Sequence, residues 1–230
     1  MEVSSEVQKI IERYSKRTEI EKRYSPFFPA IYLTEQEKER YLIECLKQTG
    51  LLPLQDRKIL EIGAGNGNQI LFLLKLGAKP ENILVNELLP DRIEGLKTKL
   101  PATIQIIEGN ALDLDIPLES IDIIIQSMVF TSILDIDFKK ALAAKLWSFI
   151  QKGGGLIWYD FTFDNPKNPD VKGINYKQIV ELFPNGHIHK WRLTLAPPLA
   201  RSLSNMIFMY KFLNLFPFLK THLLCWIRKK

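Results

Sequence analysis

The segment 58–70, KILEIGAGNGNQI, constrains this chain more than any other. An apolar run, Ile59-Leu60-Glu61-Ile62, stops at glycines on alternate positions, Gly63, Gly65 and Gly67, and resumes as the helical pattern Ile70, Leu71, Leu73, Leu74. That order predicts strand, tight turn and helix. Glycines in such a turn permit positive φ and a close approach of ligand to the main chain, while the first N–H groups of the helix remain free. A nucleotide-like ligand is expected there. The dinucleotide spacing G-x-G-x-x-G is excluded, because its third glycine position holds Asn68 counted from Gly63 and Ile70 counted from Gly65.

The rest of the chain alternates around this unit. Strands are predicted over 83–86, 103–107, 121–126 and 156–161, with helices over 90–99 and 137–151, the order of a doubly wound α/β sheet. These strands are nearly continuous apolar runs, as expected when helices cover both faces. In front, Val7, Ile10, Ile11 and Tyr14 mark an amphipathic helix over 6–16. A second helix is predicted to start at Thr34, with Thr34-x-x-Glu37 as a capping box and Gly50 as its end. Between them, Tyr24, Phe27 and Phe28 are available to pack the arm onto the domain or to cover a pocket. Behind the core, a strand over 188–195, a helix over 198–215 and a strand over 221–228 are expected. Leu199, Leu203, Met206, Ile207, Tyr210 and Leu213 would form one stripe of that helix.

At 230 residues the chain is long enough for one sizeable domain and too short for two ordinary ones. The divisions expected are a helical arm over 1–50, a ligand-binding core over 51–196 and a lid helix with last strand over 197–230. The formal charge of +5 is unevenly spread, since no acidic residue follows Glu181. That flank would attract anionic partners. Cys45 and Cys225 are far apart and fit neither a disulfide framework nor a zinc site. The start MEVSSEVQ lacks the regions of a signal peptide, and the apolar segment 206–227 is broken by Lys211, Asn214, Pro217, Lys220 and His222. A cytoplasmic protein is expected.

With Glu61 inside the strand, the pattern E-x-G-x-G-x-G resembles motif I of the class I S-adenosylmethionine-dependent methyltransferases. Glu87 closes the second strand twenty positions after Gly67, the segment Glu108-Gly109-Asn110-Ala111-Leu112 resembles the family's adenine-contacting stretch with Asn110 in place of the usual Asp, and 121–127, IDIIIQS, resembles motif IV. Gly153-Gly154-Gly155 resembles the family's glycine turn before strand five. The resemblance covers 51–157. It implies a Rossmann-like sheet, mostly parallel with an antiparallel last strand, and S-adenosylmethionine as cofactor. It also implies a cofactor site made of Glu61, Gly63, Ala64, Gly65, Asn66, Gly67, Glu87, Leu88, Asn110, Ala111 and Gln126. In that family the first-strand carboxylate orients the loop and the cofactor's amino group, and the second-strand carboxylate takes the ribose hydroxyls.

Beyond 157, the segments WYDF, NPKNPDVKGI, LAPPLAR and PFLKTH resemble a bacterial subgroup associated with polysaccharide and other surface-glycan biosynthesis. The expected reaction is methylation at oxygen of a small or sugar-containing acceptor. The loop QSMVF after strand four lacks the Asn/Asp-Pro-Pro-aromatic pattern of amide and adenine nitrogen methylation, and Gln126-Ser127-Met128 supplies no carboxylate for a metal. No metal is expected. The alternatives are a lipid or lipid-linked acceptor, reached by peripheral contact of the 198–215 stripe with an anionic bilayer, or a non-catalytic cofactor-binding regulatory module. Nucleic acid is not an expected partner, since no recognition module accompanies the basic flank. An antiparallel last strand would bring His222 to the reacting end, where Asp160 could orient it or act as base, and Arg201 could hold an anionic acceptor. His187 and His189 would then lie at the opposite end.

Overall fold

The computed structural model describes residues 3–16, 25, 27–166, 168–203 and 206–230, so the expectation for Tyr24 falls outside the described residues. The first helix, α1, spans Val3–Ser15. The second, α2, spans Pro29–Thr49 and buries Leu42, Cys45, Leu46 and Thr49, one face of a helix, before stopping at Gly50 with φ of 72°. It begins ahead of the predicted Thr34 because Pro29 suits a first turn, where its missing N–H has no partner to lose. The capping box expected at Thr34 and Glu37 does not form. Inside the helix, Thr34 Oγ1 donates back to the Ala30 carbonyl at 2.8 Å, and Glu37 turns toward the sheet. A reciprocal box stands instead at Asn175 and Gln178.

The strands are β1 (Ile59–Ile62), β2 (Ile83–Glu87), β3 (Gln105–Glu108), β4 (Ile121–Ser127), β5 (Ile150–Phe161), β6 (His187–Leu195) and β7 (Lys220–Arg228). They form one sheet in the order β3-β2-β1-β4-β5-β7-β6. Neighbours from β3 to β5 are parallel, while β7 runs antiparallel to both β5 and β6. The crossovers are α3 (Asn68–Lys75), α4 (Pro90–Lys99), α5 (Ile136–Phe149) and α6 (Tyr176–Leu182). β1 is buried at every position, which explains why it is apolar apart from Glu61. The core forms two layers. Leu60, Ile62, Ile124, Leu156 and Trp158 belong to one, and Ile59, Val85, Ile123, Ile125 and Ile157 to the other. Trp158 is fully buried with its ring 4.7 Å from that of Phe130. Removing such a ring costs roughly 3–5 kcal/mol.

Two expectations about elements need correction. The glycines 153–155 lie inside β5, which already starts at Ile150, rather than before it; Gly153 takes a φ of 84° and the register to β4 shifts across them. A Cβ on Gly154 would stand 2.5 Å from the Asp122 carbonyl oxygen, and one on Gly155 2.5 Å from that of Ile227. These glycines let β4 and β7 close on β5. The helix expected over 198–215 is instead two short ones, α7 (Pro197–Ser202) and α8 (Ile207–Leu213). With the break, one helical stripe cannot be kept. Leu199, Leu203, Tyr210 and Leu213 pack with Ala30 and Leu195, while Met206 and Ile207 are exposed. Phe27 and Phe28 are exposed as well. Among the described residues no helix is long and apolar enough to cross a membrane.

Candidate active site

The switch point of strand order lies between β1 and β4, and ligands in such sheets sit beyond the carboxyl ends of the parallel strands. At β1 that end is the loop 63–67. Gly63, Gly65 and Gly67 all take left-handed φ, at 64°, 59° and 75°. Space adds to conformation, since a Cβ on Gly63 would meet Val129 at 2.7 Å and one on Gly67 would meet Leu96 at 2.9 Å. Asn86 holds this loop from β2. Its carbonyl accepts from the Gly63 and Ala64 N–H groups at 2.9 and 3.1 Å, and its side-chain amide donates to the Ile107 and Gly109 carbonyls. One residue thereby fastens the first and third loops to the second strand. Nothing in its sequence context signals this.

Two carboxylates complete this end. Glu87 is buried and accepts three backbone hydrogen bonds, from Leu88 and Leu89 through Oε1 and from Gly65 through Oε2 at 2.7 Å. A carboxylate offers about four acceptor positions, so one remains on Oε2 for a hydroxyl donor. Glu61 is buried on β1, and its Oε2 has no partner. Burial pushes its pKa up to about 8, the field of Lys38 opposes this, and the charge of Glu87 adds to it. Asn110 caps the short turn Ala111–Asp113, its Oδ1 accepting from Leu112 N–H at 3.1 Å. Asn66 accepts from Asn68 N–H through its side chain, and Lys99 donates to its carbonyl at 2.8 Å. Ala64 and Ala111 are buried beside these turns and Leu88 is half-buried.

Gln126 sits beneath the site rather than in it. It is fully buried, with its amide donating to Asp160 at 3.0 Å and its oxygen accepting from Val129 N–H at 3.2 Å. Thr131 donates to the other oxygen of Asp160. The network holds the loop 128–132, in which Met128 has φ of 62° and its N–H donates to the Tyr159 carbonyl at 2.8 Å. Left-handed φ on a long side chain is strained, and strain of this kind gathers at functional sites. Val129 from this loop rests against Gly63, joining the two ends of the site. From outside, α1 fastens the same loop. Glu6 accepts from Leu134 N–H and from Arg13, Arg13 also donates to the Ser132 carbonyl, and Tyr14 pairs with the Ser132 hydroxyl.

His222 reaches the carboxyl end, since β7 is antiparallel and the residue pairs with Phe161 at the end of β5. His187 pairs with Arg228 at the opposite end. The His222 ring stacks on Tyr159 at 5.1 Å and meets the edge of Phe161 at 6.0 Å, with Nδ1 3.0 Å from the Thr221 hydroxyl. Burial, with the field of Lys38, drives its pKa down to about 3. The Lys38 ammonium lies 5.0 Å from the Tyr159 ring centre, and the Tyr159 hydroxyl pairs with Thr194 at 2.7 Å. Sequence reasoning did not single out Lys38 or Tyr159, which the structure brings beside His222; a lysine on an amphipathic arm reads as solvated charge.

The expected partnership of Asp160 with His222 is not formed. Side chains alternate along a strand, and Asp160 pairs across with Leu223 while Phe161 pairs with His222. The carboxylate therefore belongs to the Trp158 face of the sheet and the imidazole to the Tyr159 face. Burial raises Asp160 to about 7 against its hydrogen bonds from Thr131 and Gln126. Arg201 is exposed on α7. It forms no hydrogen bond or ion pair with either group.

Residues 59–154 match the family profile described as "Methyltransferase domain". No curated protein matches the sequence. Among solved structures, the chain is similar to a Burkholderia thailandensis 1,6-didemethyltoxoflavin-N1-methyltransferase with bound S-adenosylhomocysteine, at 13% identity and TM-score 0.64, over 99% of this chain and 89% of that one. It is also similar to a SAM-dependent methyltransferase from Thermotoga maritima, at 15% identity and TM-score 0.62, over 96% and 100%. A third, a SAM dependent methyltransferase from Archaeoglobus fulgidus, has 12% identity and TM-score 0.57 over 86% and 99%. Identities this low speak to the fold. The residues present fit the cofactor on their own chemistry: the orphaned buried oxygen of Glu61 suits an ammonium group, and the remaining position on Glu87 suits a ribose hydroxyl. The 59–154 segment thus matches a methyltransferase-domain profile, the sheet has the Rossmann-like fold of the S-adenosylmethionine-dependent methyltransferases it resembles, and this pair of carboxylates suits that cofactor.

Proposed function

We propose that this chain methylates oxygen on a small hydroxyl-bearing acceptor, with sugar-containing molecules the leading class. The observation that carries the reading is the neutral imidazole of His222, buried against Tyr159 at the carboxyl end of the sheet. When bound, S-adenosylmethionine supplies an electrophilic methyl group on a sulfonium. Glu61 and Glu87 would hold its ammonium and ribose ends, and the loop 63–67 would fix its depth. Alignment is the larger part of the task, because the displacement is in-line.

The proton of the hydroxyl still has to leave. In the tautomer whose Nδ1–H donates to Thr221, the second ring nitrogen of His222 carries the lone pair that receives it. The burial that keeps this ring unprotonated also makes it a weak base. A weak base suffices when the proton leaves late within the same step, because the hydroxyl becomes strongly acidic as its oxygen bonds the methyl group. Tyr159 and Phe161 fix the ring plane, and Lys38 adds a positive field that favours an anionic or electron-rich acceptor near the same spot.

The test is a mass-spectrometric screen of pooled hydroxyl, carboxyl and amine metabolites for gain of one methyl, followed by His222→Ala on the acceptor found. Turnover should fall by about 10²-fold, the scale of a general base, with cofactor affinity unchanged. Turnover retained in His222→Ala, or products methylated only at nitrogen, would overturn the oxygen reading.

A further inference from the structure

The face built by α7, α8 and the turn before β7 is apolar outward as well as inward. Inward, Tyr210 is buried against Ala30, and its hydroxyl shares a hydrogen bond with Thr34 at 3.1 Å. Outward, Phe208 is 82% exposed, Phe212 47%, Leu215 73% and Phe218 78%. Three aromatic rings stand in a row, Phe212 to Phe216 at 5.4 Å and Phe216 to Phe218 at 5.6 Å. The start of α2 packs on this same unit through Ala30 and Leu33, and it brings Phe27, 95% exposed, and Phe28, 50% exposed, to its border. Scattered exposed apolar residues are ordinary; six gathered around one pair of short helices are not.

We propose that this face docks on an anionic lipid bilayer, with the aromatic side chains in the headgroup region and the carboxyl end of the sheet turned toward the membrane. Charge selects this occupant. Residues 182–230 contain eight of the 31 Lys and Arg residues and none of the 26 Asp and Glu residues, so the first 181 residues are net acidic. Within the same unit, Arg201 on α7 and Lys211 on α8 are exposed. A second copy would set the same cations against each other, since a two-fold contact repeats one patch on both partners. A bilayer rich in anionic lipid meets both features at once: the aromatic rings prefer the interface, and each nearby cation strengthens binding. The surface also has a place in the fold. The turn Pro217–Leu219 leads into Lys220 and His222, so its position relative to a membrane sets the distance from the bilayer to the acceptor end.

The inference is independent of which atom is methylated. The experiment is co-sedimentation of the full chain with vesicles of pure phosphatidylcholine and with vesicles containing about one third phosphatidylserine, alongside light scattering of the protein without lipid. The expected result is binding to the anionic vesicles, weakened about tenfold or more in Phe208→Ser/Phe218→Ser and reduced in Arg201→Gln/Lys211→Gln, with cofactor affinity unchanged in both variants. All four side chains are exposed, so the variants retain the fold, and circular dichroism confirms it. Three outcomes would overturn the proposal: no binding to either vesicle, equal binding by wild type and the phenylalanine variant, or a lipid-independent dimer that the same substitutions dissolve.

Discussion

Glu61 shows how a site residue works against the fold that carries it. Its carboxyl group ordinarily titrates near 4.5, yet burial lifts it to about 8, so the folded chain holds a proton that the unfolded chain releases between those values. Stability from this group therefore falls as pH rises through that window. Asp160 acts in the same direction between 3.8 and about 7, while His222, lowered from 6.5 to about 3, acts oppositely and gives stability that is lost as pH falls below 6.5. The difference between wild type and Glu61→Gln isolates the first term. At pH 8 without cofactor, Glu61→Gln is expected to be more stable by on the order of 2–4 kcal/mol, with the gap closing toward pH 4.5. Urea denaturation at a series of pH values measures it. A variant less stable than wild type at pH 8 would mean that Glu61 has a partner in solution. For His222, the expected NMR titration is flat from pH 8 down to 5.

Elements are joined here by single buried polar residues, and Glu37 is the clearest. Its carboxylate accepts from Thr194 N–H at 2.8 Å, Asn214 at 2.9 Å and Lys220 at 2.9 Å, pinning α2 to β6, to the end of α8 and to β7. Leaving the Lys220 ammonium without it costs roughly 3–5 kcal/mol, so Glu37→Ala should lose about that much on chemical denaturation. A loss below 1 kcal/mol would show that the arm docks by its apolar face alone. The same residue explains what the sequence concealed. Thr34-x-x-Glu37 carries the letters of a capping box, but the pattern cannot say whether a carboxylate turns back to its own helix or forward to a sheet 157 residues away in sequence. Local periodicity was reliable where local forces decide: α4 and the glycine turn stand where their residues place them. It failed where packing decides, at Gly154 and Gly155, which look like a turn but serve strands that crowd β5. For the site, Glu61, Glu87 and the loop 63–67 were legible because glycine and strand-end carboxylates have few other uses. Lys38, Asn86 and Tyr159 were not, since their roles exist only once distant strands meet.

At the scale of the molecule, the arm and the sheet form one wall of the site. α1 reaches the loop 128–134 through Glu6, Arg13 and Tyr14, and that loop touches Gly63 through Val129. Arg13→Ala should speed amide exchange across 128–134 by about tenfold, the scale set by one charge-assisted hydrogen bond, while β1 and β4 stay protected. Exchange unchanged in that loop would detach the arm from the site. The central claim is that the loop 63–67, Glu61 and Glu87 bind S-adenosylmethionine, and calorimetric titration of S-adenosylhomocysteine into wild type and Glu87→Ala tests it most directly. Wild type should bind at one site, and folded Glu87→Ala should bind at least about tenfold more weakly, equivalent to roughly 1.4 kcal/mol. No binding by wild type, or equal affinity in the variant, would contradict the account.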